Sequence, residues 1–239
     1  MTRPRPTRDD RLVSDDERET GAQAAERLTF FSDAVVAIAI TLLAIDLPVP
    51  AGSTVAAFRV SVGDHLGQYA AFFISFFVIA AAWGGHHDFF RYIRGTDARL
   101  RSLNMAWLLT IILNPFATRM LTAPRKPPPP LDLHALRYGF YALLLVAQSA
   151  VLLAMVRQVI AREQATRTAR PALAGIIRQC YVLVAGFGLS IPLLFVTPFA
   201  WVLWIITPML AARAARVHRR KPGAGRAGGD GASGGPAPG

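Results

Sequence analysis

The residues that could do chemistry in this chain are few, and most of them sit in apolar surroundings. Ser32 and Asp33 open an apolar run from about Phe30 to Val49. A carboxylate costs roughly 2.5–3.5 kcal/mol near the centre of a membrane span, less near its end, and so needs a partner. Arg27 precedes it at a spacing longer than the ideal i,i+4. It could still bend back, or a His or Trp N–H could come from another helix. The plainer alternative is that Ser32 and Asp33 favour the positive end of a helix dipole. A second polar cluster reads Trp83-Gly84-Gly85-His86-His87-Asp88. Two histidines and an aspartate raise a metal site, but neighbouring side chains point about 100° apart on a helix and share a metal poorly. No His-Glu-x-x-His spacing is present. Hydrogen bonding between helices, or to Asp33, is the expected use, and Asn104, Asn114 and Thr118 could join that network. Neither a metal, nor another cofactor, nor a catalytic constellation is implied, so the chain does not read as an enzyme.

Ile38, Thr41, Leu42 and Ile45 lie at i, i+3, i+4 and i+7 and therefore share one helix face. Such a stripe can line a pore, with branched apolar side chains setting its diameter and gating it by dewetting, and one hydroxyl layer among them. Spacing alone favours ordinary helix packing. Asp46, just beyond, either concentrates cations at an outer mouth or is a solvated helix end. Val184-Ala185-Gly186-Phe187-Gly188 is similar to the Thr-Val-Gly-Tyr-Gly filter of potassium channels. It lies inside a continuous apolar block, where small residues serve close helix packing better than a re-entrant loop.

The elements that must position these residues are membrane helices. Hydrophobic residues make up 53% and charged residues 17%, against about 25% charged in a soluble domain. The apolar residues form six blocks, at about Phe30–Val49, Leu66–Phe90, Leu100–Leu121, Leu133–Val156, Leu173–Phe195 and Pro198–Val217. Each is long enough for about 30 Å of hydrocarbon. The last boundary is the weakest, because Pro192, Pro198 and Pro208 interrupt it, and Pro127–Pro130 makes an extended stop after the third block. Arginines mark alternate connections: Arg3 to Arg18 before the first block, Arg91 to Arg101 after the second, Arg157 to Arg170 after the fourth, and Arg213 to Lys221 after the sixth. Six spans with both termini cytoplasmic satisfy the positive-inside rule. The net charge of +11 is thereby assigned to membrane flanks, not to nucleic acid.

The expected organisation is a disordered cytoplasmic tail over 1–26, helical at most near Thr20–Arg27. A six-helix membrane domain follows over 27–217, then a disordered Gly-rich basic tail over 218–239. The charged N-terminus has no apolar core, so the first block reads as a retained helix and not a cleaved signal. Cys180 is the single cysteine, which excludes an internal disulfide or thiolate cluster and reads as an inert buried thiol.

Arg27-x-x-x-Phe31-Ser32-Asp33 followed by Ala-Val-Val-Ala-Ile-Ala-Ile-Thr-Leu-Leu resembles the signature of the transmembrane protein 175 family, endolysosomal potassium channels and their prokaryotic relatives. Trp83, His86, His87, Phe90, Asn104 and Asn114-Pro115-Phe116 extend the resemblance over roughly residues 26–215. It implies an all-α membrane protein with six helices per subunit and no filter loop, assembled as a homotetramer in the cell membrane. The first helix of each subunit would line a central pore for potassium ions. It places the constriction at Ile38, further pore positions at Thr41, Leu42 and Ile45, and a structural network at Arg27, Phe31, Ser32, Asp33, Trp83, His86, His87 and Asn104. A proton or non-selective cation leak is the alternative, and a secondary transporter is third, since no pair of broken helices marks two halves.

Overall fold

In hydrocarbon every backbone N–H and C=O must be satisfied within the chain, so apolar blocks of this length fold as helices. The computed structural model describes residues 8–45, 47–122, 131–166, 169–197, 199–200 and 202–216, and no strand occurs among them. Asp46, Pro127–Pro130, Arg167 and the C-terminal stretch from 217 lie outside the described residues. The helices are α1 (Arg8–Ile45), α2 (Val55–Asp64), α3 (Leu66–Phe90), α4 (Ala98–Thr122), α5 (Leu131–Ala161), α6 (Arg170–Leu193) and α7 (Val202–Arg216). Stretches of α1, α3, α4, α5 and α6 are long and apolar enough to cross a bilayer. The expected sixth span is the shorter α7 of 15 residues, about 22 Å at 1.5 Å per residue against about 30 Å of hydrocarbon. Residues 194–196 and 199–200 are turns, so the helix of the sixth block begins only at Val202.

Two elements differ from the sequence reading. α1 is unbroken from Arg8, so the division expected at residue 26 falls inside a helix. Residues 19–27 are rich in Glu, Ala, Gln and Arg, which are strong helix formers. Asp33 is therefore many turns from the N-terminus of α1, and the helix-dipole account of it fails, because that field fades within one turn. α2 was not anticipated, since its 10 residues form no block of spanning length. Thr54 caps it by accepting the Ala57 N–H, and none of its residues is buried.

α4 is the centre of the packing. It touches α1 and α3 on one side and α5 on the other, after which α5, α6 and α7 follow in order. Half of the apolar stretch of α4 and of α5 is buried, 50% each, against 22% in α1 and 17% in α3. α1 and α3 thus leave most of their apolar surface to lipid or to another copy. Polar side chains tie the helices at several levels. Ser75 on α3 bonds Thr118 on α4 and Tyr141 on α5, at 2.7 and 3.0 Å. Asn114 donates to Gln148 of α5 at 3.2 Å. Asn114 and Thr118 were expected to join the network around Asp33. Asn114 bonds α5 and Thr118 bonds Ser75 of α3 instead, because they lie about three and four turns further along α4 than Asn104.

At the opposite end, the α3–α4 and α5–α6 connections join. Arg94 N–H donates to the Gln164 carbonyl at 2.9 Å, and Thr166 N–H donates to the Tyr92 carbonyl at 3.1 Å. Asp97 caps α4 through the Leu100 N–H at 2.6 Å and accepts from Gln158 of α5 at 2.9 Å. The backbone of α1 at Gly21 rests against this junction, where an added methyl carbon would lie 3.2 Å from the Arg94 carbonyl oxygen.

Residues 184–188 are continuous helix within α6, and Gly186 packs against Thr207 of α7. A Cβ there would overlap the Thr207 side chain. Gly186→Ala is expected to lower stability by about 1–3 kcal/mol through overpacking, with partial recovery in Gly186→Ala/Thr207→Ala, measured by thermal melting in detergent. An unchanged melting temperature in the single variant would show that the helices separate without cost.

Candidate functional site

The site is built on α1, whose two faces meet different surroundings. Ser32, Val36, Ala39 and Leu43 point into the protomer and are buried. Their spacing of three and four residues makes a stripe that packs on α3 and α4. The other face carries Ile38, Leu42 and Ile45, which are 60%, 42% and 77% exposed, with Thr41 exposed among them. The four residues singled out by spacing therefore lie together, away from the protomer's own core. The Thr41 hydroxyl donates to the Ile38 carbonyl at 2.8 Å, which leaves its oxygen lone pairs free to accept. Phe31, 52% exposed, also points away from the core.

The buried face is held by a polar clamp. Asn104 on α4 donates from Nδ2 to Ser32 Oγ on α1 at 2.9 Å. Its Oδ1 accepts from His86 Nε2 on α3 at 2.7 Å. Ser32 in turn donates to the Leu28 carbonyl at 2.8 Å. Ser32, His86 and Asn104 are fully buried, and one amide thereby joins three helices. The His86 ring stacks on Trp107 of α4 with centroids 3.9 Å apart and planes 14° apart. Trp107 was not among the anticipated residues. Its only signal was a position three residues after Asn104, on the same face of α4.

Asp33 sits one residue further round α1 and meets a different part of α3. The Trp83 indole N–H donates to Asp33 Oδ1 at 2.7 Å, and His87 Nδ1 lies 3.6 Å from Oδ2. Trp83 and His87 are one turn apart, so both reach the same carboxylate. His86 points about 100° away, into the core. The adjacent histidines therefore have separate partners, His86 with Asn104 and His87 with Asp33. Arg27 is exposed and makes no ion pair with Asp33.

A further polar residue escaped the sequence reading, although its position two residues before Arg99 at a helix start is a capping signal. This is Asp97. Its bond from the Leu100 N–H, then Gln158 and the nearby Arg162, hold its carboxyl below the usual carboxylate range.

Residues 27–115 match the model of the family described as endosomal/lysosomal potassium channel TMEM175. A protein named potassium channel from Streptomyces collinus is 39% identical over 95 residues, 40% of this chain and 46% of the relative. The human protein named endosomal/lysosomal proton channel TMEM175 is 30% identical over 115 residues, 47% of this chain and 23% of that one. The chain spans less than half the length of these relatives. A crystal structure described as a lysosomal potassium-selective channel TMEM175 homolog from Chamaesiphon minutus aligns with TM-score 0.65 and 25% identity, over 80% of this chain and 96% of that one. A structure of the potassium channel MtTMEM175 aligns with TM-score 0.55 at 20% identity, a likeness of fold. The matched residues 27–115 hold the clamp and the exposed stripe of α1.

Asn104→Ala is expected to cost about 1–3 kcal/mol, as two interhelical bonds in a membrane core are each worth about 0.6–1.7 kcal/mol. It should loosen α1 before α5–α7, seen as faster hydrogen exchange over residues 28–43. Uniform loosening of all helices would contradict the clamp. Asp97 has a lowered folded pKa, so its stabilisation is present above the unfolded value of about 3.9 and is lost as pH falls through the folded value. Between pH 6 and pH 3, wild type should therefore lose more of its melting temperature than Asp97→Asn does. Equal losses would remove Asp97 from the account.

Proposed function

From the match of residues 27–115 to the TMEM175 family model, we propose that this chain is a potassium-preferring cation channel, not an enzyme, with α1 of each of four copies lining a central pore. The observation that carries the proposal is the division of α1. One face is clamped to α3 and α4 by Asn104, His86 and Trp83, while the other presents Ile38, Thr41, Leu42 and Ile45 outward. A fixed helix with an uncovered apolar and hydroxyl face is what a pore wall requires. The names of the Streptomyces collinus relative and of a Chryseobacterium relative, both potassium channels, support the choice of ion.

Four Ile38 side chains would narrow the pore to a ring too dry for ions when closed. Leu42 and Ile45 would extend the dry wall. Thr41, its proton engaged by the Ile38 carbonyl, would turn oxygen lone pairs toward the pore and replace part of a cation's hydration shell. Asp46 would concentrate cations at the outer mouth. Opening would displace α1, with Asp33, Trp83 and His87 acting as supports and not ion ligands. Selectivity from hydroxyls and apolar rings should be weaker than from rings of backbone carbonyls. The alternation of arginines supports six spans, with α7 as the last, and cytoplasmic termini in the cell membrane. The human relative's name, proton channel, favours proton conduction through the same pore as the second reading.

Flux of potassium, sodium and protons through purified protein in liposomes separates these readings. Wild type should pass potassium faster than sodium, and Ile38→Asn should raise conductance or erase the preference. Proton flux without potassium flux would select the second reading. Coupled, saturating flux would indicate a transporter, and no flux from either protein would end the pore assignment.

A further inference from the structure

Arg178 lies eight residues into α6, about 12 Å from its start at 1.5 Å per residue. It shares a helix face with Ala174, Tyr181, Ala185 and Leu189, each of which is exposed. This is the outer face of α6, opposite the buried Leu173, Ile176, Cys180 and Phe187. Its Nε and Nη2 are shielded from solvent and have no hydrogen-bond partner among the described residues. No acid pairs with it among the described residues. An unpaired guanidinium at this depth is costly, and an anion that reaches it removes the cost.

The neighbouring groups identify the anion. Arg157 on α5 is exposed, donates from Nη2 to the Tyr181 hydroxyl oxygen, and lies over the Tyr181 ring at 5.7 Å. That contact leaves the Tyr181 O–H proton free to donate. Arg157 and the Tyr181 phenol therefore meet at one seam between α5 and α6, and Arg178 lies one turn before Tyr181 on the same face of α6. Leu143, Ala150 and Arg157 are exposed at seven-residue intervals on α5, and Ala185 and Leu189 are exposed beyond Tyr181 on α6. An apolar strip thus leads along the span to the charged end.

We propose that the α5–α6 seam binds an anionic phospholipid, its phosphate taken by Arg178, Arg157 and Tyr181 and one acyl chain lying along the strip. Guanidiniums match phosphate oxygens in pairs. The long arginine stem reaches from within the span to headgroup depth. The apolar strip is what commits the site to a lipid and not to free phosphate. The proposal depends on α5 and α6 lying in a bilayer and is independent of where the pore lies.

Native mass spectrometry of the purified full chain, titrated with phosphatidylglycerol, phosphatidylcholine or inorganic phosphate, tests it. Wild type should prefer phosphatidylglycerol over phosphatidylcholine. Arg178→Gln and Arg157→Gln should each cut that preference about fivefold, while Arg162→Gln, exposed just past the end of α5, should keep it. Retained preference in Arg178→Gln overturns the proposal, as does an equal loss in Arg162→Gln, which would mean diffuse attraction. Binding of inorganic phosphate as tight as that of phosphatidylglycerol overturns the lipid assignment. Dissociation of the oligomer by Arg178→Gln on size-exclusion chromatography would give the site to an acid on another copy. Should Arg178→Gln not fold, Arg157→Gln and Arg178→Lys carry the test, and an unchanged preference in both refutes it.

Discussion

The Asn104 amide bonds Ser32 of α1 and His86 of α3 from a fully buried place on α4, and the setting of α1 depends on this junction. In water such a trio would exchange its bonds for solvent at little cost. In a membrane core the exchange is closed, because lipid tails offer no donor or acceptor. Each bond is modest, but bonds to one amide constrain position more than they add energy. α1 and α3 bury little of their own surface, so apolar contact alone would leave α1 free to slide or turn. The Asp33 carboxylate adds a second point of attachment through Trp83 and His87, one residue along. Two points set both the height and the rotation of the helix, which a greasy interface does not.

The rotation matters because it decides what α1 turns outward. With Ser32, Val36, Ala39 and Leu43 held against the neighbouring helices, Ile38, Thr41, Leu42 and Ile45 have no place in the core. The polar network and the exposed stripe are thus two sides of one constraint. Among the described residues, α5, α6 and α7 take no direct part in it and do not come close to the backbone of α1. They back α4 through Ser75, Thr118, Tyr141, Asn114 and Gln148, so α4 is a wall against which α1 is fixed. The junction of the α3–α4 and α5–α6 connections, with Asp97 at its centre, closes the other end of the same wall.

Much of the fold was legible in the residue order. Long apolar blocks dictate helices, and five of the expected six blocks became helices long enough to cross a membrane. The sixth was obscured by prolines, whose local effect on a chain end depends on packing that no single block records. α2 was missed because a short surface helix needs only a cap at Thr54 and no apolar period of its own. The length of α1 was missed because charge reads as disorder when the helix that continues through it is not yet known. Of the candidate residues, Ser32, Asp33, Trp83, His86, His87 and Asn104 were named from their cost in hydrocarbon and from resemblance, and all six take part in contacts that hold α1.

Residue order by itself determined the membrane character of this chain, the helical class, and which polar residues must find partners. Those follow from transfer costs and helix period, which are local properties. Only the tertiary structure decided the pairing: His87 and not Arg27 beside Asp33, His86 with Asn104, and Trp107 beneath His86. It also decided that the Ile38 stripe faces away from the protomer and that Nε and Nη2 of Arg178 have no hydrogen-bond partner among the described residues. Pairing joins residues far apart in sequence, and the geometry that brings them within 4 Å belongs to the packed helices and to no single one of them.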